Sequence, residues 1–167
     1  MIEIVLKIVI FIGVVGVILG TMGWIMDTIQ NKSISNLTVE DLNIPKTKFI
    51  NMVNDWCDNN IRKSSRPKPS IEIKYHKNKK YDGIYYPTTN TIVVYVNNTN
   101  KVLELTNTII HEYTHYNQNK KGFNKKYEQY NNDIGYWNNP YEIESRIESN
   151  KYKINCLKDI LTNYNTK

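Results

Sequence analysis

Residues 4–26, IVLKIVIFIGVVGVILGTMGWIM, form an apolar run of 23 residues with one charge, Lys7, near its start. About 20 residues of this kind suffice for a helix to cross a bilayer, and no small globular core needs such a segment. Trp24 falls at the far end, where interfacial aromatics sit. Gly16-x-x-x-Gly20 allows two such helices to approach closely, although glycine is common in membrane helices generally. A cleaved signal peptide would have a core of about 7–15 residues and a small-x-small site. This run is longer and no such site follows it, so residues 1–30 are expected to be an uncleaved, single-pass N-terminal anchor. Lys7 before the run and Lys32 and Lys46 after it leave the charge rule undecided. A soluble domain behind a signal-anchor-like start is expected to be extracytoplasmic.

The rest of the chain divides into a polar linker, 31–44, and one domain, 45–167, a length that suits a single core. Asn, Lys, Ile and Tyr supply 79 of the 167 residues. All four have AT-rich codons, so asparagine runs such as NNTN carry little functional weight. Residues 31–167 hold 21 basic and 14 acidic side chains, a formal balance of +7. That balance favours anionic lipid or wall polymers as neighbours. The lysines are scattered and no nucleic-acid-binding motif accompanies them, so no nucleic-acid partner is expected. KNKK (77–80) and KKGFNKK (120–126) read as solvated loop charges. Cys57 and Cys156 are the only cysteines, and no C-x-x-C occurs. Outside the cell they are placed to pair, joining an early helix to the last one; in the cytoplasm they would be buried thiols.

Local patterns predict the elements. Pro45 at a helix N1 position, then Phe49, Met52, Val53 and Trp56 at helical spacing, predict a helix that RPKP (66–69) ends. SIEIKYH alternates Ile71, Ile73 and Tyr75 and reads as a strand. GIYYPTTNTIVVYVN reads as a hairpin around residues 87–90, with 91–96 the stronger arm. A long helix over 99–121 closes on Lys120, Lys121 and Gly122 at C′. Residues 123–138 read as irregular. Asn139 as N-cap and Pro140 at N1 open a final helix whose apolar stripe is Ile143, Ile147, Ile154, Leu157 and Leu161.

The long helix carries the chemistry. Val102, Leu105, Ile109, Tyr113 and Tyr116 fall in one arc, a core face. His111 and His115 are about 40° apart and point well away from that arc. Residues one turn apart on one face can share a tetrahedral metal ion. Glu112, about 100° round from His111, is badly placed as a third ligand but well placed to reach a metal-bound water. An isolated histidine is usually structural, and His76 on the first strand reads that way.

TIIHEYTH resembles the extended His-Glu-x-x-His motif of zincin metallopeptidases whose third ligand is a glutamate. Asn117 departs from the pattern, where an apolar residue is usual. NPYEIESRIES is similar to the NPxExEA helix of small phage and bacterial zincins, with Ser145 for the usual Ala. GIYYPTTNTIVVYV resembles the strand pair beside their cleft, whose edge strand binds extended peptide. The resemblance spans roughly residues 70–150. It implies an α+β, zincin-like domain: helix, short sheet with hairpin, active-site helix and C-terminal helix. It implies zinc held by His111, His115 and Glu144, with Glu142 and Glu148 as rivals for the third place. Glu144 is preferred because it precedes the small residue, and Glu148 is a candidate to accept a hydrogen bond from a ligand histidine. Glu142 with Arg146 otherwise reads as an exposed ion pair. Glu112 would be general base in hydrolysis of a protein or peptide substrate by zinc-activated water. Tyr127, Tyr130 and Tyr136 are all available to stabilise an oxyanion. The competing class is a non-catalytic, membrane-anchored interaction protein that keeps the zincin fold; the presence of Glu112 favours the enzyme.

Overall fold

The structure is a computed structural model that describes residue 34 and residues 36–165, with side chains to 163. The expected anchor, 1–30, lies outside the described residues. Among the described residues no helix is long and apolar enough to cross a membrane.

The domain is α+β. Among the described residues it has four α-helices: α1 (Lys46–Asn60), α2 (Val102–Gln118), α3 (Phe123–Ile134) and α4 (Pro140–Asn165). One sheet holds β1 (Ser70–Lys74), β2 (Gly83–Tyr86) and β3 (Thr91–Tyr95) in the order β1-β3-β2. The expected hairpin is present: β2 runs antiparallel to β3, with Tyr85 opposite Ile92. Asn90 closes its turn at φ 52°, a conformation that asparagine tolerates better than most residues. β1 pairs parallel with β3, Ile71 opposite Ile92. Central β3 is buried over Ile92, Val93, Val94 and Tyr95, as suits the continuous apolar run TIVVY. β2 is left as an edge strand.

Helix α2 is the spine. Its predicted core arc, Val102, Leu105, Ile109, Tyr113 and Tyr116, is fully buried. Its interior threonines cost little, because Thr106 and Thr114 donate to the carbonyls of Val102 and Ile110 one turn back. The helix ends at Gln118 rather than 121. Asn117, the departure from the zincin pattern, accepts from the Lys63 N–H and donates to the Ile61 carbonyl, fixing the chain that leaves α1.

Three expectations change. Residues 36–44 do not form a free linker: Thr38 bridges Lys101, Val39 N–H donates to Asn100, and Val39 and Ile44 are buried. Backbone pairing at the start of α2 claims this segment for the domain. Residues 123–134, expected as irregular, are helical. Gly122 (φ 85°) and Gly135 (φ 78°) set the helix ends, and an aromatic stripe holds it down. Phe123, Tyr127 and Tyr130, at i, i+4 and i+7, place their rings 5.0–6.2 Å from the Tyr141 ring.

The third change concerns α4. Asn139 caps it as expected, accepting from the Tyr141 N–H. The expected apolar stripe, however, faces outward at its start: Ile143 and Ile147 are exposed, and Ile154 is half-buried. The buried face is Glu142, Ser145, Ser149, Cys156 and Ile160, joined by Leu157. Cys57 and Cys156 are buried free thiols, not a disulfide. Burial raises both titrations, and for Cys57 the neighbouring Cys156 adds to the shift.

Candidate metal centre

Helix α2 presents His111 and His115 one turn apart, as the spacing requires, and their Nε2 atoms lie 3.2 Å from each other. Helix α4 brings Glu142 between them. Its Oε2 lies 3.2 Å from His111 Nε2 and its Oε1 lies 3.1 Å from His115 Nε2. The three donor groups fall within 4.8 Å of one another, and they form the one such His/Cys/Asp/Glu group among the described residues.

This donor set fits a divalent metal. Two imidazole nitrogens and a carboxylate aim at one point, where their lone pairs repel unless a proton or a cation sits between them. Glu142 Oε2 is buried, with no hydrogen-bond donor assigned to it and His111 Nε2 3.2 Å away. A tetrahedron with bonds of about 2.0 Å has edges of about 3.3 Å. The observed separations of 3.1–3.2 Å are close to that.

Protons show the same pull. Burial works to raise the Glu142 carboxyl, but the His111 and His115 imidazoles outweigh it and hold it far below the usual carboxylate range. Burial likewise disfavours a charged His115, and the hydrogen bond to Glu142 and the nearby Glu112 carboxylate reverse the balance and raise it. Tyr127 donates to Glu142 Oε1 at 2.6 Å, and its phenol is pushed above its ordinary range by burial and by that bond.

Glu144, expected as third ligand, points elsewhere. Two residues on from Glu142 it lies about 200° round the helix, where its Oε2 accepts from Gln118 Nε2 at 3.0 Å. Glu148 is no partner of a ligand histidine either; it faces Lys63 Nζ at 3.8 Å. Glu142 is only 2% exposed, so the reading of it as half of a surface ion pair fails, and Arg146 Nη1 stands 3.9 Å away. His76 lies edge-on to Tyr95 and outside the cluster.

Sequence reasoning missed Gln118. Its Oε1 accepts from His115 Nδ1 at 2.8 Å, which leaves His115 Nε2 as the lone-pair nitrogen facing the centre. Its Nε2 is engaged by the Tyr141 carbonyl and Glu144. Ser145 Oγ lies 3.3 Å from the same Nδ1. The available signal was position: Gln118 follows His115 by three residues and so shares its helix face.

Glu112 is held apart from the cluster. Its Oε2 accepts the Tyr85 N–H of β2 at 2.8 Å. Strand β2 comes this near because residue 83 is glycine: a Cβ there would lie 2.7 Å from Thr108 Cγ2 and 3.0 Å from Glu112 Cγ. Glu112, both histidines and Glu142 line a cleft of about 600 Å³ between β2, α2 and α3. Tyr127 and Tyr136 also line it, whereas Tyr130 is not among its walls. Comparison with protein families, characterised proteins and solved structures finds no match for this chain.

Proposed function

We propose that this chain is a zinc-dependent metallopeptidase, anchored to a membrane by residues 4–26, with Glu112 as general base. The observation that carries the reading is the convergence of His111, His115 and Glu142 on the wall of a cleft that Glu112 also lines. Structural zinc commonly takes four protein ligands, often cysteines, whereas three with an open position suit catalysis. Cys57 and Cys156 are not in the cluster.

Bound zinc would supply Lewis acidity and lower the pKa of a water towards neutrality. The chain's own groups do the rest. Glu142 and the two imidazoles would hold the ion, and Gln118 keeps the His115 ring turned towards it. The Tyr85 N–H fixes one oxygen of Glu112, leaving Oε1 to accept a proton from water and pass it to the departing amine. The edge of β2 runs along the cleft and, apart from the Tyr85 N–H held by Glu112, offers its backbone to an extended peptide. Tyr127, already donating to Glu142, is a phenol at the centre.

Elemental analysis of the purified full chain tests this, beside Glu112→Gln and a peptide-hydrolysis screen. About one zinc per chain is expected in both proteins, with hydrolysis reduced at least about 100-fold in the variant. A wild-type chain that takes up no zinc on reconstitution ends the enzyme reading.

A further inference from the structure

Five large apolar side chains between residues 134 and 147 are out in solvent. Trp137 is 74% exposed, Ile147 59%, Ile134 45%, Tyr136 42% and Ile143 41%. Two of them, Tyr136 and Trp137, are joined through Arg146. The Tyr136 and Trp137 rings meet at 5.5 Å, and the Arg146 guanidinium lies over both, 5.8 and 5.2 Å from their centres. Arg146 also donates to the Trp137 carbonyl. On α4, Ile143 and Ile147 share a face one turn apart, and Arg146 falls to one side of it. Lys151 follows Ile147 by a further turn and is exposed. The three glutamates of this stretch are engaged elsewhere, Glu142 inward at the histidines with Arg146 Nη1 3.9 Å away, Glu144 by Gln118 and Glu148 by Lys63. The outward surface is therefore tryptophan, tyrosine and isoleucine bordered by positive charge.

That composition belongs to a water–lipid boundary: apolar side chains that enter, Trp and Tyr at headgroup depth, and cations for anionic headgroups. The chain supplies the lipid. Only nine residues, 27–35, separate the apolar run from the compact unit that begins at Asn36, a reach of at most about 30 Å. The formal +7 of residues 31–167 adds attraction to an anionic surface.

We infer that the outward face of α4, with the Tyr136–Trp137 turn, rests on the lipid surface to which residues 4–26 tether the domain. The docking depends on the anchor reading of that run and not on catalysis; the substrate consequence drawn from it rests also on the proposed peptidase activity. Tyr136 belongs both to this surface and to the cleft. The cleft then opens at the bilayer, and its polypeptide substrate is a membrane-proximal segment.

Site-directed spin labelling of the full chain in vesicles of phosphatidylcholine and phosphatidylglycerol decides the matter. Cys57 and Cys156 are fully buried, so a label goes to an introduced cysteine. Ile147→Cys probes the patch, and Asn51→Cys, exposed on α1, is the aqueous reference. Both are made in the Glu112→Gln background, with a nickel chelate on both sides of the membrane. The expected result is a clear shift at residue 147 towards oxygen and away from nickel, with residue 51 open to nickel. Equal nickel access at both positions overturns the inference while leaving the anchor and the metal centre standing. Spin–spin broadening at residue 147 that unlabelled chain dilutes away would overturn it in favour of a second copy. A chain washed from the vesicles by alkaline carbonate overturns the anchor and this inference together.

Discussion

The two ends of α4 bury opposite chemistry. Near its start the inward side chains are Glu142, Ser145 and Ser149, while Ile143 and Ile147 face out. Near its end Cys156, Leu157 and Ile160 are inward. The first half is inside-out by the ordinary rule for an amphipathic helix, and the second obeys it. Burying a carboxylate among imidazoles costs free energy unless the charges are matched. The apolar half supplies burial that fixes the helix's rotation, and the polar half uses that rotation to hold Glu142 at the histidines. A helix of one sequence thus serves stability at one end and the candidate metal centre at the other.

Breaking each half should separate the two roles. Glu142→Ala is expected to have the largest effect: loss of a ligand should weaken zinc binding by more than about 1,000-fold, or roughly 4 kcal/mol. Competition with a chromophoric chelator measures it. Folding should survive, because the substitution also removes a buried charge; a variant that unfolds instead would mean that the polar half is structural. Leu157→Ala attacks the other half. A fully buried leucine there should cost about 3 kcal/mol in denaturant unfolding, with one zinc still bound per folded chain. Metal loss from the folded form would show that the two halves are not separable.

Gln118→Ala should fall next, lowering zinc affinity about 10- to 100-fold, roughly 1.4–2.8 kcal/mol, because His115 loses its Nδ1 partner. Glu144→Ala, acting only through Gln118, should do less than Gln118→Ala; a Glu144 effect as large as that of Glu142 would restore Glu144 to the ligand set. The smallest effect concerns pH in the metal-free protein. His115 is raised above its ordinary 6.5, so its contribution is full below that pH and fades as pH rises through the raised value. Glu142 is lowered from 4.5, so its contribution is present above that pH and fades only as pH falls through the lowered value. Metal-free stability from this pair should therefore be fullest between about 4.5 and 6.5. Zinc should raise the melting temperature more at pH 8 than at pH 6, because the ion replaces a proton that is then absent. Thermal melts with and without chelator check both.

Much of this architecture was legible beforehand. The hairpin followed from its turn residues and β-branched arms, and α2's two faces followed from 3.6-residue periodicity alone. Helix α3 was legible in principle, because Phe123, Tyr127 and Tyr130 keep helical spacing, but its many lysines and asparagines hide a stripe that only Tyr141 completes. The α4 stripe misled for a definite reason. Ile143, Ile147, Ile154 and Leu161 make a regular apolar line, and Glu142, Ser145, Ser149, Cys156 and Ile160 make another about 140° away. Hydropathy favours the first line; the fold buries the second.

The sequence by itself determined that two imidazoles share one helix face opposite a core face, with Glu112 set off to the side. These are neighbours within one turn, and helix geometry leaves them no other arrangement. The tertiary structure decided which of three glutamates joins them. Glu142 and Ile160 are eighteen residues apart, about five full turns, so burying Ile160 turns Glu142 inward and Glu144 to the far side. That rotation depends on contacts between helices far apart in the chain, and no local pattern within α4 encodes it.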